Sequence, residues 1–190
     1  GWLDADDIRN VEKVENALIA FFGATSLEEI EILPHAAKKT SVSAEVTPAQ
    51  ISWIYRVRAI ASEMLVGRHS SAAAEAPIAQ LKPLLIAPEA SRKVPRILAE
   101  AGIRFVIVES LPTAKIAGVC FWLSDTKPII GMSLRYDRVD NFWFVLRHEL
   151  EHVLRGHGRE QIALDAELEG EKAGTGIGVP DEERIANEAA

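Results

Sequence analysis

The sequence predicts an α+β protein, and three observations predict it. Apolar residues recur at helical spacing through the first third of the 190-residue chain. Three strand-like runs then follow one another at 103–108, 116–123 and 129–133. An amphipathic helix over about 141–155 comes directly after them. The expected organisation is an N-terminal helical part, 1–76, and a second domain, 77–190, with a small sheet and two helices.

Each element has a local reason. Ile8, Val11, Val14, Leu18 and Phe21 trace one helical face, capped near Asp4 or Asp6 and ended by Gly23. Ser26-Leu27-Glu28-Glu29 has capping-box form and predicts a short helix to about Leu33. Thr47-Pro48 opens a long helix through Ile51, Ile54, Val57, Ile60 and Met64 to Gly67. Trp53 and Tyr55 on it suit core packing first and an oligomer surface, such as that of a homodimer, second. Residues 69–77 read as a loop and set the expected boundary. A helix over 94–101 ends at Gly102, and Ser124-Asp125-Thr126-Lys127-Pro128 supplies the turn between the last two strands. Asp140 is the expected N-cap of the next helix, whose stripe is Phe142, Leu146, Leu150 and Val153, with Gly156 as terminator. Pro180 followed by acidic residues starts the last helix.

The 141–155 helix carries His148-Glu149-Leu150-Glu151-His152. Residues four apart lie one turn apart on one face, so His148 and His152 can hold a single ion. Neutral imidazoles suit Zn²⁺, and Glu149 beside them can act as general base toward a water activated there. With five histidines and twenty glutamates in the chain, chance produces this motif in roughly one such chain in ninety, so the surroundings must carry the assignment. They do: burying two histidines and a glutamate in an apolar helix is costly unless an ion pairs them.

Zinc needs a third protein ligand. The downstream candidates are His157, Asp165, Glu167, Glu169, Glu171, Asp181, Glu182, Glu183 and Glu188. His157 follows His152 by five residues and Gly156 by four, whereas the metzincin pattern places its third histidine six after and its glycine three after, so that pattern fails. His157 reads instead as a helix-end residue facing terminal carbonyls. Glu183 is favoured over Glu182 because Asn187 shares its face one turn on and can orient a histidine ligand. Small Ala186 and Ala190 let this helix lie close to the first.

The string Phe142-Trp143-Phe144-Val145-Leu146-Arg147-His148-Glu149-Leu150-Glu151-His152, with the later Glu183-Arg184-Ile185-Ala186-Asn187, resembles the ImmA/IrrE family of zinc metallo-endopeptidases. Similarity continues upstream through Ala101-Gly102-Ile103-Arg104-Phe105, Leu111-Pro112, Gly118-Val119-Cys120-Phe121-Trp122 and Pro128-Ile129-Ile130-Gly131, covering roughly 80–190. The resemblance implies a minimal zincin-like domain with His148, His152 and Glu183 as zinc ligands and Glu149 as catalytic base. Residues 14–23 resemble the region that follows the DNA-binding domain in larger members, regulators with an Xre-type helix-turn-helix. DNA would then be bound only through a helix-turn-helix missing from this chain, which is expected to be a fragment at both ends. The substrate expected by resemblance is a protein or peptide, such as a repressor.

Composition narrows the classes. A net charge of −7 argues against nucleic-acid binding by this chain itself. Lone Cys120 excludes an internal disulfide and fits a reducing cytoplasm; buried and inert is its expected state. No apolar run approaches the length of a membrane span, and no signal-peptide pattern is present. Gly170, Gly174, Gly176 and Gly178 lack the context of a phosphate loop and predict a mobile connection or lid. No oxyanion-stabilising group stands out; His157, Tyr136, Arg135 and Arg138 are candidates. The leading expectation is a zinc endopeptidase domain of a cytoplasmic regulator. The alternatives are a non-proteolytic metal sensor or antitoxin-like module, and a small-molecule hydrolase with the same apparatus.

Overall fold

A computed structural model describes residues 2–4, 6–30, 37–39, 46–71, 75–134, 137–160, 162–165 and 181–190. The fold is mixed helix and sheet, as the α+β expectation has it. Contacts divide the chain into two units, Gly1–Pro34 and His35–Ala190.

In the first unit α1 spans Val11–Phe22. Asn10 caps it rather than Asp4 or Asp6, its side chain accepting from the Lys13 amide, and left-handed Gly23 closes it. The helix expected from Ser26 does not form over the described residues: 25–29 are bends and turns. The Thr25 hydroxyl bonds the Glu29 carboxylate there, and the remainder of that expectation lies outside the described residues.

The second unit is built on a sheet. Its strands are β1 (Ala37–Lys39), β2 (Arg104–Ile107), β3 (Gly118–Trp122), β4 (Pro128–Met132) and β5 (Ile162–Asp165), in the order β1-β5-β3-β4-β2. β3 and β4 form an antiparallel hairpin with Cys120 opposite Ile130. β2 joins β4 in parallel, β5 joins β3 antiparallel, and β1 joins β5 in parallel. The Ser124 turn closes as expected, with the Lys127 amide donating to the Ser124 carbonyl.

All five residues of β4 are buried, so both faces of the sheet are covered. On one face lies α5 (Val139–Arg155), whose Val145, Leu146, Leu150 and Val153 pack with Phe105, Cys120, Ile130 and Met132. On the other lies α2 (Pro48–Ser62), begun by a capping box between Thr47 and Gln50. Its Val57 fits against Gly131, where a Cβ would stand 2.7 Å from Val57 Cγ1. Trp53 and Tyr55 are both buried within this packing. Contacts group α2 with the sheet, and the division they give falls at 34/35. α2 also stops at Ser62, short of Gly67.

Between α2 and β2 run α3 (Ala76–Leu81), two 3-10 segments over Lys82–Lys93, and α4 (Val94–Glu100). Only α4 was expected; α3 falls partly in the predicted loop. The last helix, α6 (Asp181–Ala189), lies against α5. α5 begins at Val139 with Arg138 as N-cap, two residues before the expected start. Asp140 instead sits in the first turn, where the helix end favours its charge and Arg138 pairs with it. That pairing holds the Asp140 carboxyl below its ordinary range.

Candidate metal centre

The site forms where α5 crosses the start of β3 and meets α6. His148, Glu149 and His152 are all fully buried and Glu183 is 3% exposed. Helical spacing brings His148 Nε2 and His152 Nε2 within 3.0 Å of each other. From α6, Glu183 Oε2 lies 3.3 Å from His148 Nε2 and Oε1 lies 3.6 Å from His152 Nε2. Buried Ala186 permits this close approach of the two helices.

These three side chains form a buried cluster that could hold a metal ion. Two observations test the fit. Donors about 2.0–2.1 Å from one tetrahedral zinc stand roughly 3.3 Å apart, close to the triangle found. Glu183 Oε2 forms no hydrogen bond among the described residues, although it is buried in the cluster. A carboxylate in that state is costly, and a cation at the centre of the triangle offsets the cost. Two imidazoles and a carboxylate also match the donor preference of zinc.

The two glutamates of the motif have opposite surroundings. Glu151 is clamped by Arg155 Nε at 2.8 Å and Arg147 at 2.9 Å. Burial raises its carboxyl, but the two arginine bonds outweigh burial and hold it below the ordinary range. Glu149 points instead toward Gly118: a Cβ there would stand 2.7 Å from Glu149 Cδ and overlap Oε1. Glycine at the first position of β3 is therefore what admits this carboxylate. Sequence reasoning gave Gly118 no role, since a glycine at a strand start carries no signal of what lies across from it.

His157 also takes a place that spacing did not predict. It follows left-handed Gly156, and its backbone amide donates to the His152 carbonyl at 2.9 Å. Its ring does not face terminal carbonyls. Nδ1 lies 3.0 Å from His152 Nδ1, on the side of that ring opposite the ligand triangle. Burial, and then His152, hold His157 below the ordinary imidazole value, while Glu182 and Glu183 pull the other way.

No family model, curated protein or solved structure matches the chain.

The other expected site residues divide as follows. Asn187 is one turn beyond Glu183, but its amide makes no hydrogen bond to any described residue, so its expected bond to a ligand histidine is not formed. Asp181 and Glu188 flank and bond Arg184 on the exposed face of α6, which removes them as ligand candidates. Glu182 is partly exposed beside buried Glu183. Arg138 pairs with Asp140. Arg135, Tyr136, the glycine-rich segment and the acidic candidates at 167, 169 and 171 lie outside the described residues, as does the side chain of Asp165. Cys120 is buried, with Sγ 3.8 Å from the His157 carbonyl. Among the described residues no helix is long and apolar enough to cross a membrane.

Proposed function

We propose that His148, His152 and Glu183 hold Zn²⁺ and that the chain is the peptidase part of a cytoplasmic regulator of the ImmA/IrrE kind. Its substrate on this reading is a peptide bond in a partner or repressor protein, within a zincin-like domain. The observation that carries it is the convergence of two imidazole nitrogens and one buried carboxylate, with a second buried carboxylate adjacent. When bound, zinc supplies Lewis acidity that lowers the pKa of a water and polarises the scissile carbonyl.

The rest of the work belongs to the chain. Glu149 takes the proton as the water oxygen attacks the carbonyl carbon, then delivers it to the amine nitrogen as the C–N bond breaks. Glu149 suits this role because its carboxylate is buried beside the ligand histidines and is admitted by Gly118, whereas Glu151 is committed to Arg147 and Arg155. The apolar layer of Leu146, Leu150 and Cys120 keeps bulk water from the buried side of the motif.

One observation favours a second reading. Glu149 and both histidines have no exposed surface, which suits a module that holds metal for sensing or partner binding without turnover. The test uses metal content by plasma mass spectrometry beside cleavage of candidate repressor proteins. About one zinc per chain, lost in His148→Ala, supports the site. Glu149→Gln that keeps zinc but abolishes cleavage supports the peptidase. No zinc in the wild-type chain sinks both readings, and regulation that survives Glu149→Gln but not His148→Ala sinks the peptidase alone.

A further inference from the structure

We propose that His157 is a positioning residue for the metal site, accepting the Nδ1 hydrogen of His152 and thereby presenting His152 Nε2 unprotonated to the ion. The inference rests on the metal reading above and assigns a role to a residue outside the ligand set.

The geometry gives each ring nitrogen of His152 a neighbour. His152 Nε2 belongs to the ligand triangle, 3.0 Å from His148 Nε2 and 3.6 Å from Glu183 Oε1. A histidine that ligates through Nε2 carries its proton on Nδ1 and needs an acceptor there. Carboxylates and backbone carbonyls are the usual acceptors at such a position. Here His157 Nδ1 lies 3.0 Å from His152 Nδ1, within hydrogen-bond distance. His157 must then hold its own proton on Nε2.

The local chain is built to keep that ring in place. Gly156 and Gly158 both adopt positive φ, so the segment turns back immediately after α5. The His157 amide donates to the His152 carbonyl, and the His157 carbonyl accepts from Trp122 Nε1 at 2.8 Å. At Gly158 a Cβ would stand 3.0 Å from the Cys120 carbonyl carbon, so the turn lies directly on β3. Arg159 caps the arrangement, its guanidinium 3.9 Å from the Trp122 ring centre and bonded to the Asp125 carbonyl. Trp122 is itself met edge-on by His69. The backbone of His157 is thus held from α5 on one side and β3 on the other, and its ring is delivered to the ligand.

The test is zinc affinity by chelator competition on the full chain, comparing wild type, His157→Leu and His157→Asn. Asparagine places Oδ1 where histidine places Nδ1, so it keeps the acceptor, whereas leucine keeps bulk and loses it. We expect His157→Leu to weaken zinc binding about 10- to 100-fold and His157→Asn to recover most of that loss. In the zinc-loaded wild type, long-range ¹H–¹⁵N spectra should show His152 protonated at Nδ1 and His157 at Nε2. This spectrum needs no variant to fold. The proposal is overturned if His157→Leu binds zinc within about twofold of wild type, if Asn is as weak as Leu, or if His157 Nδ1 carries the proton. A wild-type chain that takes up no zinc would overturn the metal reading as well, which separates the two failures.

Discussion

Gly118 and Glu149 share one space: a Cβ on Gly118 would overlap Glu149 Oε1 and stand 2.7 Å from Cδ. The contact joins the first residue of β3 to the middle of α5, so the carboxylate is placed by the sheet as well as by its own helix. Gly118→Ala is expected to push the Glu149 carboxylate aside while leaving both histidines in register. A displacement of about 1 Å at a reacting group costs on the order of 100-fold in rate. On the proposed peptidase reading, cleavage should fall by that order with zinc content unchanged; zinc loss in parallel with activity would show instead that the helix itself had moved.

Glu183 is the only member of the ligand triangle that comes from outside α5. On the zinc reading, Glu183→Ala should lower zinc affinity by roughly 100-fold or more, beyond the loss expected for a residue that only orients a ligand. Glu182→Ala, one position away and partly exposed, should leave affinity unchanged. Chelator competition on the two variants decides the assignment, and equal effects would remove it.

His69 supplies a pH-dependent element away from the ligands. It is 6% exposed, and burial holds its imidazole below its ordinary value, more than the Ala101 carbonyl raises it. A folded-state pKa below the unfolded one means the unfolded chain binds more protons in that window. The contribution of His69 is therefore fully present above about pH 6.5 and is lost as pH falls through the lower folded value. Urea midpoints measured at pH 7.5 and pH 5 should differ less in His69→Asn than in wild type, and an identical pH dependence in both chains would count against this account.

Gly131 and Val57 offer a test of why α2 belongs with the sheet. A Cβ on Gly131 would meet Val57 Cγ1 at 2.7 Å and Val119 Cγ1 at 2.9 Å. Gly131→Ala should destabilise the unit by about 1–3 kcal/mol through overpacking. Adding Val57→Ala should recover part of that loss, with a coupling of about 0.5–3 kcal/mol in the double-mutant cycle. Strict additivity by denaturant unfolding would mean the two side chains do not meet.

Much of the centre was legible before any coordinates, and for a simple reason. The pairing of His148 with His152 is local, because helical geometry alone puts residues four apart on one face. The capping box at Thr47, the glycine stop at Gly156 and the acidic first turn after Pro180 are equally local signals. Glu183 was reachable because helix spacing puts Asn187 on its face one turn on, which favoured it over Glu182. By contrast β5 and β1 are only four and three residues long, too short to show a period of two. The capping-box form at Ser26 marks a helix start, yet no apolar stripe follows it, and turns form there instead.

The sequence by itself determined the α+β class, the helix that carries the histidines and the pairing of His148 with His152 on one face, since each depends on local pattern along the chain. Only the tertiary structure decided that α2 covers the second face of the sheet, that Gly118 opens the space for Glu149, and that His157 turns back onto His152. Those three relationships join residues far apart in sequence or cross a chain reversal. They arise from packing two helices on opposite faces of one sheet, and no periodicity along the chain encodes which side chains then meet.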